Sequence, residues 1–359
     1  MIALILAGGG GTRLWPVSRR SNPKQIETFV GTQSMLRVTF ERLLQGFQPE
    51  KIFVATSVEQ AVAIQAQLPE LPNENIISEP CRRDTASAIG YALLRISQKY
   101  PTETFVLINS DAHVKDVEAY HQAITAAGRS AEEKSQTVLI GLTPTYPETG
   151  YGYIKLGDVL AMAGEGFNLH AVERFVEKPD PQTAAHYLSE GGYLWNATLI
   201  VAPISVFLSL YEKHLPEHAR LYAEMTQAID ADNETDLIDS LFERLPAVSI
   251  DYGILEKETD LLVMPADFGW QDIGNWRTVR DVLATDDRAN VVRGRHVEVD
   301  SVGNFIHCPA GKLVATVGVS DFIIVDTGDA LLVCPRDRAH EVKRIVEQLK
   351  EDENLAEYL

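Results

Sequence analysis

The chain is poor in cysteine, in positive charge and in long apolar runs. Only three cysteines occur in 359 residues, Cys81, Cys308 and Cys334, too scattered for a zinc-ligand spacing or a disulfide framework. Free thiols suit a reducing compartment, so a cytoplasmic location is expected. Lys and Arg number 32 against 51 Asp and Glu, a formal charge of −19. Nucleic-acid binding draws on clustered cations facing phosphates, so a nucleic-acid partner is not expected. Small anionic substrates stay open, because a local site can be basic within an acidic protein. No apolar stretch reaches the ~20 residues that a membrane-spanning helix needs, and no membrane partner is expected. The apolar opening, Ile2–Leu6, lacks a basic flank and runs straight into glycines. It reads as a buried first strand, not a targeting segment.

Hydrophobic residues make up 45% of the chain, enough for a sizeable core and two domains. Continuous apolar runs at Ile2–Leu6, Lys51–Ala55, Phe105–Ile108 and Thr137–Leu142 suit strands buried on both faces. Helical patterns separate them, at Met35–Leu44, Ser57–Leu68, Thr85–Tyr100 and Val117–Ser130. This alternation predicts a doubly wound, Rossmann-like α/β domain with a mostly parallel sheet over residues 1–287. Ligands of such sheets bind at the carboxyl ends of strands, so the residues after Leu6 and Ile108 should share one crevice. From about residue 288 to 359 the character changes. Short strands at Val297–Asp300, Lys312–Val317, Asp321–Val325 and Ala330–Val333 alternate with Gly, Asp and Pro turns. They predict a small coiled β module closed by an amphipathic helix over Arg338–Leu349.

The richest local signal is Leu6-Ala7-Gly8-Gly9-Gly10-Gly11-Thr12-Arg13-Leu14-Trp15-Pro16, followed by Pro23-Lys24-Gln25. Glycines at a strand exit let backbone N–H groups approach phosphate oxygens where a Cβ would clash. Arg13 can fork two donors onto phosphate, and Lys24 adds a compact charge. A tight turn with solvated basic residues is the plainer alternative. The stretch is neither a P-loop, lacking Gly-Lys-Ser/Thr, nor a dinucleotide fingerprint. Asp111 follows an apolar strand at its carboxyl end, and Asp272 stands between Trp270 and Trp276. Either could be a local cap or turn residue; as a pair beside the glycine loop they suit a hard cation.

Leu6–Gln25 resembles the loop of the sugar-nucleotide pyrophosphorylases, and its Trp15-Pro16 and Lys24-Gln25 pairs resemble the mannose-1-phosphate guanylyltransferase branch. Further similar stretches are Glu79–Ala86, Thr149–Ile154, Phe175–Pro179, Tyr193–Ala197 and Ser249–Lys257. The resemblance implies transfer of a nucleotidyl group from GTP to α-D-mannose 1-phosphate, giving GDP-mannose and pyrophosphate, with Mg²⁺ held by Asp111 and Asp272. Leu6, Ala7, Gly8, Gly9, Gly11, Thr12, Arg13, Lys24, Glu79 and Asp111 would then frame the nucleotide. Gly152, Glu177, Lys178 and Asn196 would frame the sugar phosphate, and Arg13, Lys24 and Lys178 would act on the phosphates. Glu79, a carboxylate acceptor, could separate guanine from adenine. The resemblance also implies a left-handed β-helix at the C-terminus and a homodimer. Some relatives carry a further cupin-type isomerase domain, for which this length leaves no room.

The chain departs from the family pattern at three places. Asp111-Ala112-His113 stands for the usual Asp-His, Asp84 for Asn, and Ser87 for Pro. Asp84 could serve as another acceptor or as a cap for the helix beginning at Thr85. Two other readings stay open: a different base or sugar 1-phosphate, and a silent sugar-nucleotide-binding regulator. The second would call for loss of charged site positions, yet Arg13, Lys24, Asp111, Lys178 and Asp272 are all present.

Overall fold

The computed structural model describes residues 1–20, 22–164 and 166–359. The chain forms two compact units that do not follow a single cut in sequence. The first comprises Met1–Gly8, Arg42–Asn109 and Val114–Gly269; the second comprises Gly9–Glu41, Ser110–His113 and Trp270–Leu359. A division at 287/288 separates the coiled module from the α/β part. The compact units instead group the glycine-rich loop with that module.

The first unit is built on nine strands: β1 (Ile2–Leu6), β2 (Ile52–Ser57), β3 (Ile76–Glu79), β4 (Thr104–Asn109), β5 (Val138–Leu142), β6 (Gly152–Met162), β7 (Asn168–Val176), β8 (Tyr193–Pro203) and β9 (Leu262–Ala266). They form one sheet in the order β3-β2-β1-β4-β8-β5-β9-β7-β6. The β3-β2-β1-β4 part is parallel, as the continuous apolar runs predict, and β5 pairs in parallel with β9. Strand β8 enters antiparallel between β4 and β5, so the sheet is mixed beyond β4. Leu6 and Asn109 are register partners, which brings the carboxyl ends of β1 and β4 side by side. Helices α1 (Asp84–Lys99) and α2 (Val117–Lys134) follow β3 and β4. Ile89, Leu93 and Ile96 of α1 pack into one core with Leu4, Leu107, Phe207, Tyr211 and Met225.

In the second unit six short strands wind into coils: β10 (Val291–Arg293), β11 (Arg295–Val299), β12 (Phe305–His307), β13 (Leu313–Val317), β14 (Phe322–Asp326) and β15 (Leu331–Pro335). Pairings β10–β12, β12–β14 and β11–β13 are parallel, while β15 folds back antiparallel on β14. A fully buried asparagine, Asn304, ties successive turns: its amide donates to Asn290 Oδ1 at 3.0 Å and to the Val319 carbonyl at 2.8 Å. The closing helix starts later than its amphipathic pattern suggests. Arg336–Glu341 is a 3₁₀ turn behind Pro335, and the α-helix α4 runs Val342–Glu351. Helix α3 (Trp276–Leu283) begins with a capping box between Asn275 and Thr278. Among the described residues no helix is long and apolar enough to cross a membrane.

Trp276 is the hub of this second core. It is 1% exposed, meets Phe29 edge-on at 5.6 Å, stacks on Phe305 at 5.4 Å, and donates its Nε1–H to the Trp15 carbonyl at 2.8 Å. Trp276→Ala should cost about 3–5 kcal/mol, the usual toll for a buried aromatic cavity. Urea denaturation followed by circular dichroism measures it, and an unchanged midpoint would contradict the assigned hub.

Candidate active site

The glycine-rich loop is shaped by two contacts in the second unit. Gly11 has φ 57°, and a Cβ there would strike Ser18 Oγ and lie 2.9 Å from Lys24 Cβ. Only glycine combines that backbone with that closeness. The buried Gln25 donates its side-chain amide to the Gly9 carbonyl at 3.0 Å and so fixes the loop's outer strand of glycines. Thr12–Leu14 forms a single 3₁₀ turn, with Leu14 buried and Arg13 exposed.

Two distant aspartates join this loop through a short strand pair. Ala112–His113 runs antiparallel to Gln271–Asp272, with Ala112 opposite Asp272, and the Ile273 N–H donates to the Asp111 carbonyl at 3.1 Å. The Lys24 ammonium donates to Asp111 Oδ2. Burial alone would lower the Lys24 pKa, but the carboxylates of Asp111 and Asp272 outweigh burial and the opposing Arg13, so it is raised. A Cβ on Gly274 would collide with Asp272 Oδ2 and sit 3.8 Å from Arg13 Nη2, so this bare glycine leaves room where a carboxylate and a guanidinium approach. The second unit thus gathers Gly9, Gly11, Thr12, Arg13, Lys24, Asp111 and Asp272. Two cations and two carboxylates in one place can face a polyphosphate and a hard cation together.

The first unit holds the remaining predicted residues in two groups. Leu6 ends β1 and Ala7 and Gly8 follow it; the Ala7 carbonyl accepts from Thr56 Oγ1 at 2.9 Å, and a Cβ on Gly8 would touch Glu79 Oε1 at 3.4 Å. Glu79 is 8% exposed at the end of β3. Burial pushes its carboxyl up to about 7, with Arg82 opposing and Glu59 and Asp84 reinforcing the shift. Asp84 takes φ 64° and accepts from the adjacent Thr85 N–H at 2.7 Å, while the Ala86 N–H that a cap would take donates to the Val248 carbonyl at 3.1 Å, so the bonding is not that of a helix cap.

The second group lies where β6 meets β8. Gly152 and Asn196 are register partners, and a Cβ on Gly152 would lie 2.5 Å from Glu177 Oε2. Glu177 is buried, its Oε1 accepts from the Lys178 ammonium at 2.6 Å, and its Oε2 has no hydrogen-bond partner among the described residues. An orphan buried acceptor beside a bare glycine is suited to a ligand hydroxyl. Lys178 itself takes φ 47° and keeps its side chain half exposed. Asn196 accepts from the Thr198 N–H at 3.0 Å and donates to Asp251 Oδ1 at 2.8 Å. Asp251, from the Ser249–Lys257 stretch, thereby completes the group. Trp195 is buried with Tyr146 and Tyr151 edge-on to it, whereas Tyr252 is exposed.

A family model described as "Nucleotidyl transferase" matches residues 2–288, and one described as "MannoseP isomerase/GMP-like beta-helix domain" matches residues 294–349. The "Xanthan biosynthesis protein XanB" of Xanthomonas campestris pv. campestris is 37% identical over 353 residues, covering 98% of this chain and 73% of that protein. "Mannose-1-phosphate guanylyltransferase" of Klebsiella pneumoniae is 35% identical over 363 residues, covering 98% and 74%. The crystal structure of "mannose-1-phosphate geranyltransferase" from Thermus thermophilus has a TM-score of 0.85 at 34% identity, with 97% of this chain and 99% of that one covered.

Asp251 supplies a test of the electrostatics. Burial, then repulsion from Glu177, pushes its carboxyl up to about 6, against Lys178 and the Asn196 hydrogen bond. A carboxyl whose folded pKa lies above its unfolded value destabilises the fold as it ionises, because the unfolded chain gives up the proton more readily. Asp251→Asn should therefore gain stability relative to wild type between pH 4.5 and 7, on the order of 1–2 kcal/mol. Thermal melts across that range measure it, and a pH-independent difference would refute the shift.

Proposed function

This chain belongs to the nucleotidyl transferase family, and on that premise we propose that it transfers guanylyl from GTP to mannose 1-phosphate. An oxygen of mannose 1-phosphate forms a bond to the α-phosphorus of GTP as the bond to the β-phosphate oxygen breaks. Pyrophosphate leaves with the electron pair, and GDP-mannose is the other product. The attacking phosphate is already anionic at neutral pH, so no general base is needed, and the protein's task is positioning and charge compensation.

The observation that carries this reading is the Lys24–Asp111 pair beside Asp272 and Arg13. In it, Arg13 and Lys24 take the charge of the triphosphate and of the departing pyrophosphate, with Gly9, Gly11 and Thr12 offering backbone donors. Leu6, Ala7 and Gly8 line the nucleotide's path off β1, and Glu79 accepts from the N1–H and amino group of guanine. Lys178 steers the attacking phosphate, while Glu177 Oε2 and the Asn196 amide take sugar hydroxyls near Gly152. Asp111 and Asp272 would hold Mg²⁺. Among the described residues no cluster of three or more His, Cys, Asp or Glu could hold a metal by itself. Two carboxylates fit an ion that completes its octahedron with phosphate oxygens and water. Bound there, it would neutralise charge on the phosphates. The reading includes a cytoplasmic homodimer, which sedimentation equilibrium would test.

Lys24→Ala should lower kcat on the order of 10²–10³-fold, as loss of one preorganised charge partner does. Pyrophosphate release from GTP and mannose 1-phosphate, assayed with and without Mg²⁺, measures this. Near wild-type turnover in a folded variant would refute the role, and better turnover with ATP would refute the base. Glu79 adds a pH signature. Its carboxyl must be ionised to accept from guanine, so GTP affinity should fall as pH drops through about 7. Glu79→Gln should flatten that profile, and a profile that keeps its slope would remove Glu79 from base recognition.

A further inference from the structure

The stretch that carries Arg13 and Lys24 is held by turns. Among the described residues between Gly9 and Lys24 these are the 3₁₀ turn Thr12–Leu14, the Val17 and Ser18 N–H groups donating to the Leu14 carbonyl at 3.2 and 3.0 Å, and a mutual backbone pair between Arg19 and Asn22 at 3.0 and 3.2 Å. Side chains add to this, the Arg19 guanidinium donating to Asp329 at 2.7 and 2.9 Å, and further support comes from residues 358 and 359. The Trp15 indole donates its Nε1–H to the Tyr358 carbonyl at 2.8 Å, and the Arg20 N–H donates to the Leu359 carbonyl at 2.6 Å. These carbonyls sit at the end of a 3₁₀ turn, Glu353–Tyr358, that opens with Asp352 accepting from the Asn354 N–H at 3.0 Å. Residues 351–357 are exposed, whereas Tyr358 and Leu359 pack against the core that contains Leu14 and Trp15. The segment is solvated except where it meets the loop. That pattern suits a brace more than a core element.

We infer that Trp15 and residues 353–359 form a clamp that positions the glycine-rich loop for the triphosphate, making Trp15 a positioning residue for the nucleotide and not for the sugar phosphate. The inference rests on the nucleotidyl-transfer reading. The Trp15 ring is well seated apart from its N–H: it is 8% exposed, and its carbonyl is held separately by Trp276. Trp15→Phe therefore keeps an aromatic in place and deletes one hydrogen bond to the terminal turn. A merely structural clamp would lower stability and leave substrate affinities in proportion. A positioning clamp splits them, because a loop that must be ordered by its ligand binds that ligand more weakly.

The experiment compares wild type, Trp15→Phe and a chain ending at Asp352. Michaelis constants for GTP and for mannose 1-phosphate are read from pyrophosphate release, and tryptic cleavage after Arg19 and Arg20 is timed alongside. For Trp15→Phe the KM for GTP should rise about threefold to tenfold while that for mannose 1-phosphate stays within about twofold, the scale of one lost hydrogen bond. Cleavage should quicken by a similar factor. The shortened chain should exceed both effects, and the peptide Glu353–Leu359 added in excess should partly reverse them. Unchanged GTP affinity and cleavage in Trp15→Phe, or an equal rise in both Michaelis constants, would overturn the clamp. Should the shortened chain not fold, Trp15→Phe decides alone. If wild type does not turn over these substrates, the functional reading fails, while the cleavage rates still decide whether the clamp exists.

Discussion

Two carboxylates brought together inside a protein need a cation, and Lys24 is the one that answers Asp111 and Asp272. The strand pairing of Ala112–His113 with Gln271–Asp272 creates the need, since it draws Asp272 across nearly half the chain to Asp111. Lys24 meets it with a charge that burial disfavours and the two carboxylates restore. An isolated ammonium there would be costly, and so would the aspartates without it. The arrangement is therefore self-compensating without a ligand and ready for one. On the proposed reading a phosphate would take over the ammonium, and a divalent cation the carboxylates.

The group around Glu177 solves a related problem differently. Here Glu177 and Asp251 stand near one ammonium, so the cluster keeps an excess of negative charge, and Asp251 responds by holding its proton more tightly. Its oxygen accepts from Asn196, whose own carbonyl oxygen is taken by the Thr198 N–H. Both polar ends of the Asn196 amide are thereby oriented, which fixes how it can meet a ligand. Glu177 Oε2 is the acceptor left over. A sugar brings hydroxyl donors, and an orphan acceptor is most valuable to a ligand that brings them. On the proposed reading the orphan acceptor takes a sugar hydroxyl, and Lys178 has to offset the acidic excess for the phosphate.

How far the sequence showed this depends on what kind of atom carries each contact. Strands β1, β2, β4 and β5 were legible because burial on both faces leaves unbroken apolar runs, whereas the short, half-buried β3 was not. The β6–β7 ribbon was not, since its register shifts and its outer half is exposed, with Val159 and Met162 facing solvent. Charged side chains such as Arg13, Lys24 and Asp272 announced themselves. Their grouping did not, because a two-residue strand pair has no periodicity to read. Nor could the φ of 47° at Lys178, or the closing helix's delay to Val342, which Pro335 and a 3₁₀ turn impose. Least legible of all were backbone acceptors. The carbonyls of Gly9, Tyr358 and Leu359 leave no trace in residue type, yet they hold Gln25, Trp15 and Arg20.

That last class explains how a glycine-rich loop can serve at all. Glycines allow the backbone to come close to phosphate, but each one also widens the range of conformations the free loop explores. Binding must then order the loop, and the ordering weakens affinity. Restoring order with larger residues inside the loop would fill the space the phosphate needs. The restraint has to come from outside the glycines, through contacts that stiffen their flanks and leave their backbone N–H groups free. Gln25 on the Gly9 carbonyl, Trp276 on the Trp15 carbonyl and Arg293 on the Thr28 and Phe29 carbonyls at 2.9 and 3.0 Å all act in this way. Each uses a donor from elsewhere in the second unit to occupy an acceptor, and none consumes an N–H of the glycines. On this logic the coiled module is more than an appendage. By joining one compact unit with the loop, it lends a glycine-rich segment the rigidity that its own composition denies it.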